Sequence, residues 1–309
     1  MGIKMSRSGL GAVGLLIVAG VWGATLSFTK EALAVVGVNS FLALRFIVAT
    51  LALVPFLSRK KSAPISAGNT LLAVLLGGVL YGIFFLQSLG LKTVTTAATG
   101  FITGTNVAMV PVITLVLFKK GVSRQVWLGI AVTIAGLGIV GGRGLFSPMS
   151  GYSAVLLAAF LIAVDIVAVE RIMASIDAMW LAFVEIATMA VISTALSLTA
   201  GDGGVGGLKV LTSFPIILAV LFNGILGTSI ALWAQNHFQT IVPSAQVAVI
   251  FSSEPIFAAV IAWMLFGGTV TLNVVAGGLL VLIGITIADE EAFEYLGNKF
   301  LSRERKSHR

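Results

Sequence analysis

Glu254, Asp165 and Arg45 are charged residues inside long apolar runs. A charged side chain at the centre of a bilayer costs roughly 2.5–3.5 kcal/mol on insertion scales, so each needs a partner, a water-filled cavity or a function. Glu254 lies mid-run and precedes Pro255, which lacks a backbone donor and frees a carbonyl one turn back. Such a carboxylate can bind a substrate ammonium or carry a coupling proton. It can equally anchor neighbouring helices through serine or backbone donors. Asp165 could do the same work or close a helix–helix hydrogen bond. Arg45 could hold a carboxylate bidentately, but snorkelling or packing is the reading its long aliphatic stem favours. Glu185 and the Glu170-Arg171 pair read as helix-end residues.

Thr99, Thr103 and Asn106 fall at i, i+4 and i+7, on one side of a helix. A later segment answers with Gln246, Ser253 and Glu254. Both sets read as the lining of a substrate cavity, although hydroxyl residues are also the ordinary glue between membrane helices. Trp22 and Tyr81 sit mid-run and could wall the same cavity, stacking an aromatic substrate or holding an ammonium by cation–π contact. Trp127, Trp180, Trp233 and Trp263 lie near run ends and read as headgroup-belt residues. Gln87, Gln235, Pro111 and Pro255 read as gating or packing residues. Zero cysteines exclude disulfides and thiolate ligands. Two histidines leave little for metal chemistry, and no GxxxxGK[ST] phosphate loop occurs. No cofactor, metal or catalytic set is expected, so an enzyme is the weakest reading.

Composition says what must position these residues. Of 309 residues, 58% are hydrophobic and 10% charged, with mean hydropathy +1.08. Soluble domains carry about 25% charged residues, and even large ones leave about a quarter of their surface exposed. Soluble, disordered and nucleic-acid-binding classes are excluded, because the net charge of +7 sits in short loops and a tail. The expected fold is an all-α polytopic membrane protein. Breaks in the apolar runs predict ten spans, at 10–29, 38–57, 70–91, 97–118, 124–141, 152–171, 178–200, 212–234, 243–265 and 269–288, each about the length that crosses hydrocarbon. With the N-terminus inside, fourteen lysines and arginines fall on inside segments: Lys4, Arg7, Arg59, Lys60, Lys61, Lys119, Lys120, Arg124, Arg171, Lys299, Arg303, Arg305, Lys306 and Arg309. Only Lys30, Lys92, Arg143 and Lys209 fall outside, which predicts two cytoplasmic termini.

The two halves resemble each other at an offset of 148 residues. Phe118 meets Phe266, Gly129 meets Gly277, Gly136 meets Gly284, Gln87 meets Gln235 and Asn106 meets Glu254. Several matches at one offset indicate duplication. Five spans per copy make the second copy inverted, and the basic Lys119, Lys120 and Arg124 accordingly become Gly267, Gly268 and Leu272. The expected units are 1–145, 146–289 and a cytoplasmic tail at 290–309. Glycines spaced as GxxxG (Gly78/Gly82, Gly100/Gly104, Gly138/Gly142) are expected to let helices approach closely.

Trp22-Gly23, Arg45-Phe46, the stretch from Gly90 to Pro111 and the Ser252–Pro255 motif resemble the drug/metabolite transporter superfamily, specifically the EamA family. The resemblance covers nearly the whole chain. The stretches Leu86–Gly90 and Thr103–Asn106 are most similar to bacterial aromatic amino acid exporters. It implies ten helices in a bacterial inner-membrane type of bilayer, and a cavity lined by helices 1, 3, 4, 6, 8 and 9. It also implies secondary transport, as export, of small amphiphilic metabolites such as neutral or aromatic amino acids. Protons are a candidate coupling ion. A passive channel or uniporter and efflux of drugs or other metabolites are the alternatives; a channel would want a ring of matched polar side chains or a filter loop, and neither is visible.

Overall fold

The computed structural model describes residues 7–57, 66–119, 121–141, 150–173, 175–199, 213–267 and 271–288. The tail at 290–309, the boundary at 145/146 and the basic residues Lys4, Arg59, Lys60, Lys61, Lys120, Arg143 and Lys209 lie outside them. The described residues are helical, with no strand among them. They form α1 (Arg7–Leu33), α2 (Val38–Leu57), α3 (Ala67–Leu91), α4 (Thr96–Gly104 and Asn106–Phe118) and α5 (Arg124–Gly141). There follow α6 (Ser150–Ile172), α7 (Ala178–Thr199), α8 (Phe214–Phe238), α9 (Ser244–Phe251 and Glu254–Phe266) and α10 (Leu272–Ala288). Eight are long and apolar enough to cross a membrane; the apolar stretches of α5 and α10, Arg124–Ile139 and Val275–Ala288, are shorter. Large apolar side chains such as Leu51, Val116, Val191 and Leu272 point outward, as a chain solvated by lipid requires.

Local chemistry sets the helix ends. Ser66 caps α3 by accepting from the Asn69 amide at 3.2 Å, and Thr95 caps α4 by accepting from the Ala98 amide at 3.2 Å. Asp177 Oδ1 accepts from the amides of Met179 and Trp180 at the start of α7. These side chains satisfy donors that the first turn leaves free.

Two helices break midway, and they break at corresponding places. α4 is interrupted at Thr105, and α9 at Ser252–Ser253, 148 residues later. Their second halves run from Asn106 to Phe118 and from Glu254 to Phe266, and both stop on a left-handed residue, Lys119 (φ 53) and Gly267 (φ 68). Hydroxyls and amides take the carbonyls around each break. Thr105 Oγ1 donates to Ile102 O (2.6 Å), Asn106 Nδ2 to Thr103 O (2.7 Å), Ser253 Oγ to Ile250 O (2.7 Å) and Ser252 Oγ to Ala248 O (2.9 Å). Such back-bonding competes with the helical ladder. Pro255, in the first turn of its half-helix, gives up a donor that would be free there anyway.

A third irregularity lies in α8, where Phe222–Ile230 is a π-helix. Thr228 Oγ1 donates to Asn223 O (2.8 Å) and Ser229 Oγ to Gly224 O (3.1 Å), each five residues back.

Packing brings α5 against α10, α2 against α7, α3 against α6 and α7, and α1 against α9. The α5–α10 seam is backbone against backbone. A Cβ on Gly129 would lie 2.7 Å from Gly284 O, and one on Gly136 would lie 2.6 Å from Gly277 O. The expected GxxxG pairs behave differently. Gly100 and Gly104 do meet Pro255, Leu137 and Ser252 of neighbouring helices, but Gly78 and Gly138 have nothing within 4 Å. The motif alone therefore does not determine close approach, which also occurs at Gly23 against Glu254 O and at Gly77 against Glu185 O.

Helix ends meet in two sets. At one, the Glu170 carboxylate accepts from the Ser244 amide (3.1 Å), and Gln125 and Gln246 donate to Ile287 O and Ala288 O. At the other, Lys30 Nζ donates to Leu91 O (3.2 Å) and Val94 O (2.7 Å), and Ser40 pairs with Ser197. Arg7, Lys119, Arg124 and Arg171 belong to the first end, and Lys30 and Lys92 to the second.

Candidate functional site

A cavity of about 560 Å³, its open mouth included, lies where α1, α3, α4, α6, α8 and α9 converge. Space for the centres of water molecules inside it is about 50 Å³, enough for a few waters. Its walls are Trp22 and Thr25 of α1, Leu80, Ile83, Phe84 and Gln87 of α3, Thr103 and Asn106 of α4, Ile162, Asp165 and Ile166 of α6, Leu232 and Gln235 of α8, and Phe251 and Glu254 of α9. Asn106 and Glu254 are the residues that begin the second half-helices after the two breaks. The breaks thus turn polar side chains inward at mid-chain depth.

Of the residues read from sequence, Trp22, Gln87, Thr103, Asn106, Asp165, Gln235 and Glu254 come together here. Tyr81, Thr99, Gln246 and Ser253 lie outside the lining. Tyr81 Oη donates to Asn39 Oδ1 at 2.7 Å, Gln246 Nε2 donates to Ala288 O at 3.2 Å, and Ser253 Oγ serves the break. Thr99 is fully buried one turn behind Thr103, and its carbonyl accepts from Thr103 Oγ1 at 2.7 Å. The two prolines also stand outside the lining, Pro111 inside the second half of α4 and Pro255 against Gly100.

The lining is rich in acceptors. The Glu254 carboxylate makes no hydrogen bond to the described residues. Asn106 Oδ1, Asp165 Oδ1 and Gln235 Oε1 are buried without a donor. The donors are largely committed: Trp22 Nε1 to Gly227 O (3.0 Å), Gln87 Nε2 to Thr103 Oγ1 (3.3 Å), and Gln235 Nε2 to Asp165 Oδ2 and Gln239 Oε1 (both 3.3 Å). Among the described residues, no lysine, arginine or histidine lines the cavity. Its aromatic wall includes Trp22 and Phe251, with ring centroids 4.9 Å apart.

Arg45 stands behind that wall. It is 2% exposed, so it does not snorkel. Its guanidinium covers the Phe84 ring at 4.3 Å, donates from Nε to Thr228 Oγ1 (2.8 Å) and from Nη2 to Gly227 O (3.2 Å), and forms no ion pair among the described residues. Gly227 O thus accepts from both Arg45 and Trp22, which ties the π-helix to the cavity wall.

Glu185 is the residue that the reading of helix ends missed. It is fully buried in α7 and accepts from Asn236 Nδ2 at 3.0 Å. Its signal was its depth, seven residues inside an apolar run rather than at the run's edge. Phe84, Phe251 and Thr25 also reach the cavity, and nothing in their residue types distinguished them from core.

A bundle of membrane-length helices, broken midway around a small central cavity, is the build of a membrane transporter. The family model described as "EamA-like transporter family" matches residues 9–142 and 149–288, and the chain belongs to that family, one of transporters rather than enzymes. It is 25% identical over 276 residues to a protein named "Uncharacterized transporter" from Archaeoglobus fulgidus, covering 89% of this chain and 84% of that one. It is 24% identical over 217 residues to "Uncharacterized transporter YdfC" from Bacillus subtilis, covering 69% of each. A solved crystal structure matches with a TM-score of 0.74 at 18% identity, over 92% of this chain and 98% of that chain, a likeness of fold alone.

Proposed function

We propose that this chain is a secondary transporter that exports small amphiphilic metabolites, neutral or aromatic amino acids first among them, by alternating access around the central cavity. One observation carries the reading: an aromatic-walled cavity whose polar lining offers acceptors and almost no free donors. An ammonium brings three donors and no acceptor, so Glu254 and Asn106 Oδ1 suit it, while Trp22, Phe84 and Phe251 suit an apolar body. The absence of a cation among the described lining residues favours a second reading, efflux of apolar amines that carry no carboxylate. An amino acid would need Arg45 to come forward past Phe84. With few waters' worth of room, either substrate requires the helices to move.

The architecture that would move them is ten crossings arranged as two inverted repeats, 1–145 and 146–289, with both termini and the 290–309 tail cytoplasmic in an inner-membrane type of bilayer. Three observations support it: the family model matches each half, the two helix breaks share one offset, and the glycine contacts 129–284 and 136–277 exchange under that offset. Gln87 and Gln235 would act as gates, with Pro111 and Pro255 as points of flexure. Protons would be the coupling ion.

Counterflow in proteoliposomes tests the substrate. Vesicles loaded with unlabelled phenylalanine, threonine or phenethylamine are challenged with labelled phenylalanine or labelled phenethylamine, with and without a pH gradient. Saturable phenylalanine exchange supports the amino acid reading. Exchange of phenethylamine alone moves the assignment to amines. Exchange of neither, in protein of native melting behaviour, rejects both.

A further inference from the structure

We propose that Asp165 and Glu185 form a proton-binding pair, held by the adjacent amides of Gln235 and Asn236 and separate from the substrate carboxylate Glu254. Its role as the coupling site rests on the transporter reading above; the binding of protons does not. Asp165 comes from α6, Glu185 from α7, and both are served by consecutive residues of α8. Gln235 Nε2 donates to Asp165 Oδ2 (3.3 Å) and Asn236 Nδ2 to Glu185 Oε2 (3.0 Å). All four side chains are at most 3% exposed.

The hydrogen bonding does not close. Asp165 Oδ1, Glu185 Oε1, Gln235 Oε1 and Asn236 Oδ1 are all buried without a donor. A buried unpaired carboxylate is far costlier than a neutral acid. A proton on each carboxyl turns two of the four bare acceptors into donors, and the two amide oxygens are the acceptors left for them. A metal cation fits less well, because the amides already aim N–H groups into the cluster.

The Asp165 side of the pair also has access. Asp165 and Gln235 line the central cavity, whereas Gln239, which accepts from Gln235 and donates to Ile166 O at 3.3 Å, lines a cleft at the basic end with Glu170, Thr240 and Pro243. Asp165 and its partner Gln235 therefore stand between the cavity and that cleft, while Glu185 is fully buried in α7. The other ionisable groups on the surrounding elements are accounted for. Glu254 of α9 lines the cavity, and Arg45 of α2 sits behind Phe84. Tyr81 of α3 is bonded to Asn39, His237 of α8 is exposed and stacked on Trp233, and Lys30 of α1 lies at the opposite end, while Arg7 and Glu31 of α1 and Tyr152, Glu170 and Arg171 of α6 sit in the first or last turns of their helices. α4 contributes none.

The test is infrared difference spectroscopy of the full chain in liposomes, without substrate, across a pH titration. The expected result is a carboxylic acid C=O band that disappears on raising the pH, loses intensity in both Asp165→Asn and Glu185→Gln, and persists in Glu254→Gln. Absence of such a band from the unmodified protein overturns the proposal without reference to any variant. So does a band removed only by Glu254→Gln, or by one member of the pair alone. Accumulation of labelled phenylalanine driven by a pH gradient should fall at least tenfold in both pair variants. If the band behaves as expected but the unmodified protein moves neither phenylalanine nor phenethylamine, the proton site stands and the substrate reading fails.

Discussion

Glu254 presents a carboxylate to the cavity with no hydrogen-bond donor among the described residues, the arrangement expected of a group reserved for something that arrives. Glu254→Gln keeps the shape and removes the charge. A hydrogen bond to a charged group contributes about 1.5–3 kcal/mol, so the apparent affinity for phenylalanine or phenethylamine should fall roughly 10- to 100-fold, at about a factor of ten per 1.4 kcal/mol. The melting temperature should hold or rise, because a charge kept for function is a cost to the fold; a fall would make Glu254 a structural anchor instead. Arg45 should behave in the opposite way. Arg45→Met removes donors from Thr228 and Gly227 O, so the melting temperature should drop markedly, with Arg45→Lys intermediate. Both charges were conspicuous in the sequence as polar groups in apolar runs. Their roles were not, because a burial that excludes snorkelling depends on Phe84 and on a carbonyl 182 residues away.

At the scale of elements, three departures from regular helix adjoin the cavity. Within the π-helix of α8, Gly227 O accepts from both Trp22 and Arg45, and π-segments recur at functional sites. A Cβ at Gly227 would run into the Thr25 side chain. Gly227→Ala should therefore push α1 from α8, break the Trp22 bond and lower counterflow at least tenfold, while size-exclusion profiles stay monodisperse; unchanged counterflow would remove Trp22 from the site. The break in α9 was not predicted: 243–265 reads as one continuous span, although Ser252–Pro255 places hydroxyls and a proline together. The break in α4 was not predicted either, because Thr105 lies in a run of ordinary small residues and Pro111 falls six residues later. The π-helix was not legible at all. Apart from Asn223 its residues are apolar, glycine and hydroxyl types that any membrane helix uses, and its contacts with Arg45 and Thr25 come from helices far off in sequence.

For the molecule as a whole, the pairing of α5 with α10 and the sidedness of the ends carry the argument. Periodic apolar runs and the 148-residue offset made the helix order readable, but not which glycines touch: contact needs the relative register of two helices, and spacing within one helix cannot supply it. Gly136 and Gly138 separate the two ideas. Gly136→Leu places a side chain against the backbone of α10, at an overpacking cost of about 1–3 kcal/mol, whereas Gly138→Leu enters open space. Only the first should lower the melting temperature; equal effects would dissolve the seam as a structural element. Sidedness can be measured directly, because the chain has no cysteine and any cysteine introduced is the sole target of a thiol reagent. With both termini cytoplasmic, Lys92→Cys at the α3–α4 turn should react with a membrane-impermeant maleimide in intact cells. Thr240→Cys at the exposed α8–α9 turn should react only after permeabilisation. The reverse pattern would turn the molecule over. It would place the cleft beside Gln239 on the outer face, so that protons would enter the Asp165–Glu185 pair from the opposite compartment.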